Sequence, residues 1–198
     1  MRAMVLILRY FNQSAVEPNQ RHCHAGSEHG EHCVREGAAC ALTLLKLIDR
    51  HPVTVAYLRH LGPYGEPLSA FWQNTYKPWA VMNKLREHAR YGISHDDPTI
   101  TAADQCRYDA CAEVAPNFVA SGGALKTTIP GSRYAALSFK GTVKQVGEAW
   151  TLLLRDWLPS SGFQLDARPF FEYYPKGAAY DSQMGIFECA ICIPVAPL

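Results

Sequence analysis

Residues 53–198 can be laid against themselves at an offset of 79 positions. Ala56 and Leu58 then fall on Ala135 and Leu137, Gly62 on Gly141, and Tyr91 on Phe170. Tyr108 meets Phe187, Asp109 meets Glu188 and Val114 meets Ile193. The offset needs no gap from the first apolar run to the last, so the chain reads as a duplication of one unit. That constrains the fold more than any local propensity. Two related units meeting about a pseudo-two-fold axis leave a groove between them, and clefts at such junctions are common ligand sites.

Each unit reads as strand, turn, helix, strand, strand. In the first, Val53–His60 is a strand and Gly62, Pro63, Tyr64 and Gly65 form the turn. A helix over Pro67–Tyr76 restarts at Pro78, because proline lacks the N–H and crowds the preceding turn. Tyr91–His95 and Cys106–Val114 follow as strands. In the second unit Tyr134–Phe139 is a strand and Gly141 the turn. Val143, Val146, Trp150, Leu153, Leu154 and Trp157 make one apolar helical stripe, ended by Pro159 and Gly162. Phe170–Tyr174 and Ile186–Ile193 are the closing strands. The expected fold class is α+β: duplicated βαββ units forming an antiparallel sheet assembly with two main helices and a ligand groove about the pseudo-two-fold axis. Trp72 and Trp79 are seven apart, as are Trp150 and Trp157, which places each pair two turns apart on one helix face.

Composition shifts near residue 52. The first 52 residues hold His22, His24, His29, His32 and His51, three cysteines (Cys23, Cys33, Cys40) and the polar stretch Asn12–Glu36. They read as an N-terminal extension. Helical spacing appears there only in Ala38, Ala41, Leu42, Leu45 and Ile48, which suggests a short helix over 38–49. The cluster His22, Cys23, His24, His29, His32 and Cys33 offers zinc-ligating residue types. Its spacing fits no zinc module, and His-rich tracts are often incidental, so no metal is assigned. Cys189 and Cys192 have C-x-x-C spacing, but residues three apart on a strand face opposite sides.

The charges nearly cancel, at a formal net +1, which argues against non-specific adhesion to nucleic acid or anionic membrane. The run Met4–Leu8 is shorter than a signal-peptide core, and no stretch is long enough to span a membrane. An odd number of cysteines, seven, suits free thiols in a reducing compartment. The expectation is a cytoplasmic protein with no membrane partner and no direct nucleic-acid binding. There is no G-x-S-x-G elbow, no G-x-x-x-x-G-K-[ST] loop and no H-E-x-x-H, so the usual signatures of serine hydrolases, nucleotide hydrolysis and zincins are missing. No cofactor is assigned.

The segments "VAYLRHLGPYGEP", "CRYDACAEV", "WTLLLRDWLPSSGFQLDARPFFEYYP" and "CAICIPV" together resemble the GyrI-like superfamily. Its members include the effector-binding domains of AraC-type and MerR-type multidrug regulators and stand-alone gyrase-inhibitory proteins. The resemblance covers residues 53–198. It implies a duplicated βαββ (SHS2-type) fold that binds bulky, often cationic or amphipathic aromatic compounds through a buried glutamate and surrounding rings. The matching glutamate is Glu172; the turn residues Gly62, Pro63 and Tyr64, and also Trp157 and Tyr174, match the family pattern. Residues 1–52 are too short for a paired helix-turn-helix and show no such pattern, so a stand-alone effector domain is expected.

Physical reasoning also singles out Glu172. Along Phe170–Tyr174 side chains alternate, so Phe170, Glu172 and Tyr174 share one face while Phe171 and Tyr173 share the other. Both faces are aromatic, and the repeat places the aliphatic Ile93 at the equivalent position. Burying an unpaired carboxylate costs several kcal/mol, so an empty site raises its pKa or bonds it to a tyrosine, and a cationic ligand supplies the missing partner. Tyr64, Trp72 and Trp150 are the foremost further lining candidates, ahead of Tyr57, Phe71, Tyr91 and Tyr108. The competing reading is an internal Glu–Tyr or Glu–Arg pair, with Arg133 or Arg168 as donors. Asp109 and Glu188 read as structural acids, Asp109 receiving a hydrogen bond from a turn or from Arg107.

Three functions are therefore open. The leading one is a small-molecule binding protein for a hydrophobic or cationic aromatic ligand, held by Glu172, Tyr174, Phe170, Tyr64, Trp72 and Trp150. The second is hydrolysis of strained electrophilic natural products, with Glu172 and a tyrosine (Tyr64 or Tyr174) positioning or deprotonating water. The third, implied by one branch of the family, is a protein partner such as DNA gyrase.

Overall fold

Period-two alternation organises the chain from Leu45 onward. The computed structural model describes residues 45–198 apart from Asp97 and Thr99, and the His/Cys cluster of residues 22–33 lies outside these. The strands are β1 (Leu45–Arg50), β2 (Val53–Leu61), β3 (Arg90–Ser94), β4 (Arg107–Glu113), β5 (Leu125–Ile129), β6 (Ser132–Gly141), β7 (Phe163–Leu165), β8 (Phe171–Tyr174), β9 (Tyr180–Asp181) and β10 (Ile186–Pro197). They form one curled sheet in the order β1-β6-β10-β8-β3-β4-β2-β5, with β7 and β9 joined to β10. The three strands of each unit are neighbours, and the units meet where β8 pairs antiparallel with β3. This is the α+β architecture expected of two βαββ units.

Leu45–Arg50, which composition assigns to the extension, is an edge strand of the same sheet, paired with β6. The helix suggested over 38–49 is therefore a strand from Leu45 on, and residues 38–44 lie outside the described ones. Leu45 and Ile48, three apart, share a face only if the chain coils there. Pairing with β6 instead satisfies the backbone groups that face that strand, and tertiary context overrides the weak periodicity.

The helices lie on one face of the sheet. Helix α1 (Glu66–Phe71) runs through a π-helical turn (Trp72–Tyr76) into α2 (Lys77–Met82). Helix α3 (Val143–Thr151) likewise runs through a π-helical turn (Leu152–Trp157) into a 3₁₀ turn (Leu158–Ser160). The restart expected at Pro78 does not occur. The Lys77 N–H donates to the Trp72 carbonyl five residues back, and this wider turn absorbs the donor that proline lacks. The same widening undoes the tryptophan pairing read from a spacing of seven, since seven residues no longer make two turns. Trp79 is buried, its Nε1–H donating to the Ser121 carbonyl at 3.0 Å. Trp157 stacks on Phe163 with ring centroids 6.3 Å apart. Only Trp72 and Trp150 remain on the groove side.

Three apolar clusters hold the layers together. Ala56, Leu58, Tyr108, Ala110 and Ala112 lie under α1 and α2, packed by Tyr76, Trp79 and Leu85. Leu137, Cys189, Ile191, Ile193 and Val195 lie under α3, packed by Val146, Leu153 and Leu154. On the opposite face Tyr91, Ile93, Cys111, Tyr134, Phe171 and Cys192 form the third cluster. Cys189 and Cys192 thus point to opposite sides of β10, as the alternation requires.

A single offset of 79 does not hold through the folded repeat. Leu58 sits opposite Ala110, whereas Leu137 sits opposite Ile191, so the paired strands slide by two residues between units. Ile93 and Glu172 even lie on opposite faces, and the residue across from Glu172 is Gly92. The two-residue slide preserves which face is apolar, whereas the one-residue displacement between β3 and β8 exchanges the faces.

The matched acids Asp109 and Glu188 each face a base directly across the ladder, Arg59 and Lys140. Asp109 accepts two bonds from Arg59, at 2.7 and 2.8 Å, and lies 2.5 Å from His95 Nε2. Arg107 instead pairs with Asp96, so the donor expected for Asp109 was the wrong arginine. Burial alone would push the Asp109 carboxyl up, but the bonds from Arg59 and His95 outweigh it and hold it below the usual range. A depressed folded-state pKa gives stability that is present above the unfolded value, near 3.9, and lost as pH falls through the folded one. We expect Asp109→Asn to cost on the order of 2 kcal/mol at neutral pH, by urea denaturation. The difference from wild type should shrink below about pH 4.

Candidate functional site

A cleft of about 740 Å³ lies over the β8–β3 seam, between the α1–α2 rod and α3. Each wall comes from a different repeat, which is why neither unit alone could form it. All six residues singled out as ligand contacts from the sequence line this cleft: Glu172, Tyr174, Phe170, Tyr64, Trp72 and Trp150.

Glu172 is half-buried on the floor. Its Oε2 accepts the Tyr174 hydroxyl at 2.8 Å and the Tyr108 hydroxyl at 3.3 Å, and Oε1 accepts the Trp150 Nε1–H at 3.3 Å. Three aromatic donors thus converge on one carboxylate from β8, β4 and α3. Of the competing internal pairing, the Glu–Tyr form is present in these bonds. Among the described residues neither candidate arginine pairs with Glu172: Arg133 pairs with Asp49, and Arg168 bonds to Asp166 and Ser132. Burial pushes the Glu172 carboxyl above the usual carboxylate range, and its three hydrogen bonds recover only part of that. Burial, and the neighbouring Glu172 charge, push the Tyr108 and Tyr174 hydroxyls well above the ordinary tyrosine value, so both stay protonated and can donate.

The local sequence explains how the donors reach. Gly92 sits opposite Glu172, and a Cβ there would stand 1.8 Å from the Tyr108 hydroxyl and 3.3 Å from Glu172 Oε2. Only glycine leaves β3 open for the Tyr108 ring to cross and meet the carboxylate. The rings form a continuous wall: Trp72 stands 6.1 Å from Tyr108 and 5.9 Å from Tyr174, and Tyr174 stands 6.0 Å from Phe187, centroid to centroid.

Several expectations need adjusting. Tyr108, ranked behind Tyr64, is a direct donor to Glu172. The Tyr64 hydroxyl bonds instead to the carbonyls of Arg107 and Asp96, at 2.8 and 3.2 Å, so it lines the cleft without touching the carboxylate. Tyr91 is buried on the other face, Tyr57 packs against the same cluster, and Phe71 packs on the core under α1 with its ring 5.2 Å from His60. Phe187, Leu154 and Arg90, which line the cleft, and Gly92, which lies against the Tyr108 hydroxyl opposite Glu172, were not read from the sequence. The signal for Gly92 and Arg90 is the β3–β8 pairing, which no local pattern reveals.

Fold and site together define a duplicated βαββ domain with an aromatic cleft around a single carboxylate. The chain belongs to the GyrI-like small molecule binding domain family, whose model matches residues 45–196. It is 26% identical over 142 residues to the SPbeta prophage protein YosT of Bacillus subtilis strain 168, which carries a transcriptional-regulator name; the match covers 71% of this chain and 91% of YosT. It is 25% identical over 154 residues to a DNA gyrase inhibitor of Escherichia fergusonii, covering 73% of this chain and 92% of the inhibitor. Among solved structures it shares its fold with SAV2435 bound to tetraphenylphosphonium, at TM-score 0.51 and 16% identity, covering 77% of this chain and 93% of that one. No helix among the described residues is long and apolar enough to cross a membrane.

The raised pKa of Glu172 makes a stability prediction. A carboxyl that holds its proton more tightly folded than unfolded stabilises fully below the unfolded value, about 4.3, and loses that contribution as pH rises through the folded value. Glu172→Gln should therefore gain stability relative to wild type as pH climbs from 4 to 8, read by denaturant midpoints. A difference that stays flat over that range would mean the carboxylate is not strained by burial.

Proposed function

We propose that the cleft binds a bulky aromatic cation, with Glu172 as its counter-charge. The observation that carries this is a half-buried carboxylate held by three ring donors and paired with no cationic side chain among the described residues. Its hydrogen bonds orient the oxygens while leaving the charge itself uncompensated. A ligand cation would lower the cost of ionising it, and the faces of Trp72, Trp150 and Tyr174 would each add about 0.5–2 kcal/mol of cation–π attraction. The tetraphenylphosphonium seen with SAV2435, a protein of the same fold, supports a ligand of this class.

A hydrolytic use of the same site has one observation in its favour, the 2.8 Å bond between Tyr174 and Glu172. That pair, and not Tyr64, would position or deprotonate water. Stoichiometric binding with no product from an electrophilic probe would remove this second reading.

Trp72 and Trp150 give the test an internal reporter. Tryptophan fluorescence of wild type should change saturably with tetraphenylphosphonium, and far less with neutral triphenylphosphine oxide. Glu172→Gln should bind the cation at least tenfold more weakly, the loss expected for one charge-assisted contact. Equal affinity of mutant and wild type for the cation would sink the proposal.

A further inference from the structure

The cleft carries a second half-buried charge of opposite sign. Arg90 lines it from β3, directly across the ladder from Tyr174, and its guanidinium lies 5.5 Å from the centre of the Tyr174 ring. Glu172 stands opposite Gly92, two positions along β3. Arg90 and Glu172 are therefore diagonal neighbours on one face of the seam, a relation that sets backbone positions about 7–8 Å apart in antiparallel sheets.

The other lining charges are accounted for or solvated. Asp96 is paired with Arg107 at 2.8 Å, and Glu87 lies beside Arg86 at 3.6 Å. Lys77 is exposed. Among the described residues, no ion-pair partner faces either Glu172 or Arg90, although both are half-buried. A guanidinium has five N–H donors in a planar fork that suits a carboxylate, and the aromatic contact of Arg90 uses none of them. A plain cation entering the cleft would be drawn to Glu172 and repelled by Arg90. An anionic group on the same ligand turns that repulsion into attraction.

We propose that Arg90 forms an anion subsite in this cleft, so that the preferred ligand is an aromatic cation that also bears a carboxylate-type anionic group a short spacer away. This rests on the reading that Glu172 receives the cation, and it adds the second charge and its position.

The test is calorimetric titration of the full chain with butyltriphenylphosphonium and with (4-carboxybutyl)triphenylphosphonium, which differ by one carboxylate. Wild type should bind the carboxylated compound about tenfold more tightly. That preference should vanish in Arg90→Gln and be partly kept in Arg90→Lys. Equal binding of the two compounds by wild type, or weaker binding of the carboxylated one, overturns the subsite and leaves the cation reading standing. A preference that survives in Arg90→Gln also overturns it. If wild type binds neither compound, the subsite and the cation reading fall together. The wild-type comparison decides on its own should Arg90→Gln not fold.

Discussion

The carboxylate of Glu172 lies at the seam between two halves of the molecule, and much of the surrounding structure can be understood from how that charge is held. Its donors come from three separate elements: Tyr174 beside it on β8, Tyr108 from β4 in the other repeat, and Trp150 from α3. One of them reaches across the repeats: Tyr108 meets the carboxylate only because β8 and β3 pair in the observed register, whereas Tyr174 and Trp150 belong to the same repeat as Glu172. That pairing in turn needs a glycine at position 92, because any Cβ there would collide with Tyr108. A polar group in an apolar cleft is costly if unsatisfied, so the register, the glycine and the rings are fixed together.

Duplication gives the cleft its walls but not its chemistry. Both rods contain a π-helical turn, and in both the tryptophan before or at its start faces the cleft while the one seven residues on packs elsewhere. Both inner ladders place an acid across from a base on the opposite face, Asp109 with Arg59 and Glu188 with Lys140. These features are shared by the halves and serve packing. Glu172, Gly92 and Arg90 break the likeness, and they are the residues that give the floor its charge pattern.

Alternation made the main strands legible from the sequence, along with the faces of Phe170–Tyr174, while the family resemblance pointed to Glu172 as the central carboxylate. Period two survives in a strand whatever its neighbours do. What depended on pairing was not legible. An ungapped offset put Ile93 on Glu172, while the folded register puts Gly92 across from it. The helical spacing of Ala38 to Ile48 hid a strand that pairs with β6. The seven-residue tryptophan spacing misled because a π-helical turn changes the angle per residue, and Pro78 was absorbed by that same turn. Tyr108 was ranked too low because its reach to Glu172 depends on a missing side chain on another strand.

If Glu172 is a strained carboxylate that a cationic ligand relieves, ligand binding must lower its pKa and release protons. The most direct measurement is calorimetric titration of tetraphenylphosphonium at weakly acidic pH in buffers of different ionisation enthalpy, which counts protons released per ligand bound. A measurable release in wild type that disappears in Glu172→Gln is the predicted result. Binding with no proton release in wild type, or with the same release in Glu172→Gln, would contradict it.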